Sequence, residues 1–180
     1  MTIRSNNKIF TYFVIISTLL LNLNSYSIQA QQSYIDSIEI KLEAATDSFN
    51  KSKYAYQLSY AHIKSNPRKG LAYIKKAINL LPKDSIVHIG QNYNVLGIFY
   101  AQIYSDSISV SIEYFKKSIA IFEANSYPKQ AADSYNNLTQ AYLLLKDYEK
   151  GLQSLFLARE KYEILKDTSG LASVHSIDRK

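Results

Sequence analysis

The sequence predicts an all-α chain, an array of antiparallel helix pairs with a period near 40 residues. Three observations carry this. Similar strings recur at fixed spacing: GLAYIKKAINLL (70–81), SIEYFKKSIAIF (111–122) and GLQSLFLAREKY (151–162). Apolar residues within each string fall at i, i+3 or i+4 and i+7, one stripe of a helix. Helix-ending signals separate the strings, and no segment sustains the alternation of a strand.

The elements follow in chain order. Residues 1–30 carry two bases, Arg4 and Lys8, no acid, and an apolar run Ile9–Leu21 before a polar stretch ending at Ala30. This is the layout of a secretory signal peptide, with cleavage expected after Ala30 and Ile28 at the minus-three position. The run of 13 residues spans about 20 Å as a helix, short for a ~30 Å hydrocarbon core. An uncleaved N-terminal anchor is the alternative. Export then implies a periplasmic or extracellular location and a mature chain from Gln31 with no transmembrane segment. Residues 31–47 form a lead-in, with a helix near Ile35–Ala45. Repeat one (48–83) is split at Asn66-Pro67, with Pro67 suited to a helix start. Repeat two (84–125) is split at Tyr104-Ser105-Asp106. Repeat three (126–167) starts at Ser126-Tyr127-Pro128 and is split at Lys146-Asp147. Residues 168–180 open a partial fourth repeat, with a helix near Gly170–Asp178.

The repeat positions are matched residue by residue. Gly70, Ser111 and Gly151 lie 41 and 40 apart, as do Ala77, Ser118 and Ala158. Tyr93, Leu96 and Tyr100 return 42 residues later as Tyr135, Leu138 and Tyr142. Leu58 and Pro82 mark copy one, Gly97 and Phe115 copy two. Small residues let helices approach while Tyr and Leu fill between them. This pattern resembles the tetratricopeptide repeat. Copy three fits without gaps, at Tyr135, Leu138, Thr139, Tyr142, Tyr148, Gly151, Leu155 and Ala158. Tyr replaces the family's Trp, the terminal Pro is missing after copies two and three, and the period exceeds the family's. The resemblance covers residues 48–180 and implies a right-handed superhelix, a tetratricopeptide-like α-solenoid. Behind a signal peptide, the long period is also similar to the extracytoplasmic repeat regions of bacterial sensor histidine kinases and related regulators.

The family's concave face, carried onto this chain, implies a peptide groove. Repeat one contributes Lys53, Tyr56, Tyr60 and Lys64. Repeat two contributes Gln91, Asn94, Ile98 and Gln102. Repeat three contributes Asp133, Asn136, Asn137, Gln140 and Leu144. Amides pair with an extended backbone, and Tyr stacks and donates. From Ser48 to Lys83 there are eight bases and no acid, so an anionic partner at the first repeat is a further expectation. A solvated basic face is the plainer reading.

Composition excludes much. The chain has no Cys and no Trp, which removes disulfides, thiol nucleophiles and cysteine-ligated metals. His62, His88 and His175 are isolated, and the repeat places His62 and His175 at packing positions. No catalytic motif, metal cluster or cofactor loop occurs. The Asn-x-Ser/Thr strings at Asn50 and Asn137 read as chance. An exported chain without a reading motif disfavours nucleic acid. The expectation is a non-catalytic exported module that binds a protein or peptide in envelope sensing or scaffolding. The alternative is the sensor region of a truncated membrane receptor lacking its membrane helix and output domain.

Overall fold

A computed structural model of the protein describes residues 3–103 and 105–178, with only the backbone described at 3–15, 20–24, 105 and 178. Tyr104 of the expected break in repeat two lies outside the described residues, as do the side chains of Arg4, Lys8 and most of the run Ile9–Leu21. Among the described residues eight α-helices follow one another: α1 (Ile3–Ala44), α2 (Ser48–Ala61), α3 (Pro67–Leu80), α4 (Ile86–Ile103), α5 (Ile108–Ala124), α6 (Pro128–Leu144), α7 (Tyr148–Ile164) and α8 (Thr168–Asp178). A 3-10 turn, Ser105–Ser107, lies between α4 and α5. Each helix packs on the next, most extensively within the pairs α2/α3, α4/α5 and α6/α7. Among the described residues there is no strand.

The sequence accounts for where these helices start. Asp47 caps α2 by accepting from the Asn50 amide at 2.8 Å. Asn66 caps α3 through the Lys69 amide at 3.1 Å, with Pro67 in the first turn, where its missing N–H costs nothing. Asp147 and Asp167 do the same for α7 and α8. The ends of α5, α6 and α7 share another device. Tyr127, Asp147 and Asp167 donate backbone bonds to Phe122, Tyr142 and Tyr162, five residues back, at 2.9, 3.0 and 2.9 Å. The residues just before them, Ser126, Lys146 and Lys166, take left-handed φ of 61°, 60° and 53°. These are Schellman closures made without glycine.

The core runs along the stack as three overlapping clusters. Ile35, Ile38 and Leu42 of α1 join Leu58, Leu71, Ile74 and Phe99. Ile112, Phe115 and Leu138 form the second, and Leu155, Tyr162 and Val174 the third. Small residues set how close the helices come. A Cβ on Gly70 would stand 2.5 Å from the Phe99 ring, one on Gly97 2.6 Å from Phe115, and one on Gly170 2.2 Å from Tyr162. Ser118 fills a similar place and donates its hydroxyl to the Gly90 carbonyl at 2.8 Å. Four of these approaches, at Gly70, Gly90, Gly97 and Gly170, seat a ring on a glycine. Leu58, Gly70, Ala77, Leu96, Gly97, Phe115, Leu138, Tyr142, Gly151 and Ala158 are buried, while Pro82, Tyr93, Tyr100 and Tyr135 are half-buried.

Three details differ from the sequence expectation. The first helix extends upstream of Ile35 to Ile3, with its described side chains exposed or half-exposed from Ile16 to Tyr34 outside 20–24. Helix α2 ends at Ala61, so Lys64 sits in the following turn. His175 is exposed and does not pack, because α8 turns Val174 rather than His175 into the core. Among the described residues no helix is long and apolar enough to cross a membrane.

Candidate functional site

Helices α2, α4 and α6 are the first members of their pairs, and the expected groove residues fall on or beside them. A cleft of about 340 Å³ opens between α2 and α4, roofed by Leu81 of the α3–α4 link. It gathers three of the expected residues: Lys53 and Tyr56 from α2, and Gln91 from α4. The pair Tyr56–Tyr60 extends one wall, with ring centroids 5.2 Å apart. Burial, and then the neighbouring Tyr60, push the Tyr56 hydroxyl far above its ordinary pKa, so it stays a neutral donor.

The cleft also holds residues that the sequence reading missed. Phe49 and His88 meet edge to face at 5.0 Å and form a lip. Gln57 and Asn92 line the interior. Asn92 is only 2% exposed, its Nδ2 has no hydrogen-bond partner, and neither has the buried Oε1 of Gln57. Both residues line the cleft, and each keeps one buried polar atom unpaired, which costs roughly 1–3 kcal/mol each. Lys53, Tyr56, Tyr60 and Lys64 follow one helix stripe. A cleft has two lips, and the i+4 neighbour of Lys53, Gln57, was the available clue.

The other expected residues divide. Asn137 donates to Asn94 at 3.1 Å, tying α6 to α4. Ile98 packs partly into the second core cluster. Asp133 accepts from the Tyr162 hydroxyl at 2.6 Å, and Asn136, nearly buried, donates to Ser173 of α8 at 2.9 Å. Both are engaged in the stacking of α7 and α8, away from the α2/α4 cleft. Gln140 and Leu144 line a separate apolar cleft of about 560 Å³ with Leu143, Leu152 and Ile177. Lys64 and Gln102 are exposed. Of the basic residues of repeat one, Lys69 pairs with Glu39 at 3.1 Å and Lys75 stands over the Tyr100 ring at 5.9 Å. Among the described residues no group of three or more His, Asp or Glu is placed to hold a metal.

No protein-family model matches the sequence, and no curated protein sequence matches it. The structure is similar to a solved one, described as the crystal structure of the apo form of RapI, with a TM-score of 0.69 and 21% identity over 86% of this chain. The likeness is one of fold. The chain spans 45% of the RapI chain it matches. An all-helical array of adjacent pairs, alike in fold to RapI, is a helical-repeat protein.

Proposed function

We propose that the protein is an exported, non-catalytic module that binds an extended segment of another protein on its inner face, in envelope sensing or scaffolding. The observation carrying this is the α2/α4 cleft, where the Gln57 acceptor and the Asn92 donor are buried without partners beside Tyr56 and Lys53. A peptide backbone supplies a donor and an acceptor at each residue. Phe49 and Tyr56 supply apolar walls for its side chains, and Lys53 favours an acidic residue nearby. Export rests on the basic-then-apolar layout of residues 1–30. The sensing context rests on the resemblance to extracytoplasmic sensor regions.

A photo-crosslinking residue placed at Lys53, in cells expressing the whole chain, tests the binding face. Discrete adducts are expected from Lys53 and none from the same residue at exposed Lys116. Equal adducts from both positions would sink the cleft as the binding face. N-terminal sequencing of the purified protein tests export, with Gln31 expected first.

A further inference from the structure

The outer helices α3 and α5 carry bases at matching positions. Lys75-Lys76 and Lys116-Lys117 lie 41 residues apart, and all four are exposed. Arg68, also exposed, stands about two turns before Lys75 on the same side of α3. The fold joins the two helices into one face. The Lys75 ammonium lies over the Tyr100 ring at 5.9 Å. Tyr100 stacks on Tyr114 of α5 at 5.4 Å, and Tyr114 stacks on Tyr93 at 6.0 Å. The Lys117 ammonium closes the row, 5.3 Å from the Tyr114 ring and 5.9 Å from the Tyr93 ring. A stack of three half-buried tyrosines therefore holds a lysine at each end.

Charge balance sets these bases apart. Lys129, Lys150 and Lys161 also lie over Tyr rings, but each is paired with a carboxylate, of Asp167, Asp147 and Glu123 in turn. Lys69 is likewise paired with Glu39. Among the described residues no carboxylate pairs with Arg68, Lys75, Lys76, Lys116 or Lys117. A ring holds an ammonium in place without cancelling its charge, so the tyrosine row presents fixed, uncompensated cations. The acids of α3 and α5 are Glu113, exposed beside the lysines of α5, and Glu123, already taken by Lys161.

The next outer helix shows what kind of anion fits. At the positions matching Lys116 and Lys117, α7 carries Phe156 and Leu157, 63% and 37% exposed. The Lys161–Glu123 pair, at 2.7 Å, holds α7 beside α5. A soluble polyanion offers nothing to exposed apolar side chains. A bilayer accommodates every part of this face, with headgroups for the bases, the headgroup–acyl boundary for the tyrosines and the acyl region for Phe156 and Leu157.

We propose that the outer face of α3, α5 and α7 docks on a bilayer surface rich in anionic lipid, with the five bases at the headgroups and Phe156 inserted. The α2/α4 cleft lies on the first helices of the pairs, so this docking is independent of what the cleft binds. A bilayer leaves no protein adduct at Lys116, and crosslinking at Lys53 still reports the cleft alone.

Vesicle cosedimentation tests this on protein purified from cells expressing the whole 180-residue frame. The parent should bind vesicles of equal parts phosphatidylglycerol and phosphatidylcholine. It should lose that binding on phosphatidylcholine alone, or as salt shortens the screening length from ~10 Å to ~3 Å. Each base near such a surface is worth roughly fivefold, so Lys76→Gln with Lys116→Gln should weaken binding about 25-fold. That pair leaves the tyrosine row intact. Phe156→Ser should weaken binding about tenfold. Lys64→Gln with Lys146→Gln removes the same charge from exposed turns and should change little. All these positions are exposed, and circular-dichroism melts check that folding is kept. Arg68→Gln, expected to lose about fivefold, replaces any variant that fails to fold. A parent that ignores the phosphatidylglycerol vesicles overturns the proposal. So does an equal loss from the two lysine pairs, which would reduce the effect to net charge. Unchanged binding by Phe156→Ser overturns it as well, and equally tight capture by polyglutamate would then assign the bases to an acidic chain.

Discussion

On the outer helix of the first repeat, Lys75 and Lys76 stand in solvent, and on that of the third the same places hold Phe156 and Leu157. Beneath them the two helices agree. Gly70 and Gly151, Ile74 and Leu155, and Ala77 and Ala158 are all buried at matching positions. The difference teaches that the stack is fixed by few inward positions, and that the outward ones vary without cost to it. Repeat one spends its outer surface on charge and its inner surface on a polar cleft. Repeat three turns its free surface apolar.

The largest expected effect tests whether the two repeats share one register. Leu58→Ala and Leu138→Ala should each lose roughly 2–5 kcal/mol in urea melts, the cost of a cavity in a packed core. A loss under about 1 kcal/mol from either would break the equivalence. The glycines separate the repeats more sharply. Gly70→Ala drives a methyl into the Phe99 ring, with the Ser59 carbonyl 3.0 Å away, and should lose about 1–3 kcal/mol. Gly151→Ala meets only the end of the Leu143 side chain at 3.3 Å, and should be neutral or gain up to ~1 kcal/mol from helix propensity. Equal losses would mean that repeat three is covered as repeat one is.

Acid should also act on repeat one first. His62 is buried and stacks on Tyr73 at 5.8 Å. Burial, helped by Lys69 and opposed by Glu39, lowers its pKa below the ordinary 6.5. The unfolded chain therefore takes the proton more readily, and stability should fall as pH drops through about 6.5, by at most ~1.4 kcal/mol per pH unit for one proton. Glu39 is held below its ordinary 4.5 by hydrogen bonds from Tyr73 and Lys69, so its contribution disappears only in stronger acid. His62→Phe should flatten the upper window in denaturant midpoints measured against pH, and an unchanged slope would acquit His62. The smallest effect belongs to the surface. Phe156→Lys, measured dilute, should stay within about 0.5 kcal/mol of the parent. A greater loss would make Phe156 part of the fold.

The helix plan was legible because its determinants are local. Asn66-Pro67, Lys146-Asp147 and Tyr127-Pro128 each stop or start a helix through their own backbone chemistry, and the observed helices begin there. The matched small residues located the close approaches, though not which ring would fill each one. The site was less legible because its partners are distant in sequence. Asp133 looks like a groove residue on its stripe, yet Tyr162, 29 residues on, claims it. Asn136 is claimed by Ser173, 37 residues on. Gln57 and Asn92 gave no signal of being left unpaired, since that follows from how α2 leans on α4.

The glycine-free closures of α5, α6 and α7 mean that this chain keeps unused thermal headroom. All five glycines are inside helices, four of them where a ring needs the room, and none relieves the left-handed turns at Ser126, Lys146 and Lys166. A side chain there costs about 1 kcal/mol over glycine. Those three hairpin ends are exposed and belong to neither the polar cleft nor the apolar face. They are the places where an engineer can raise the melting temperature without altering what the protein touches.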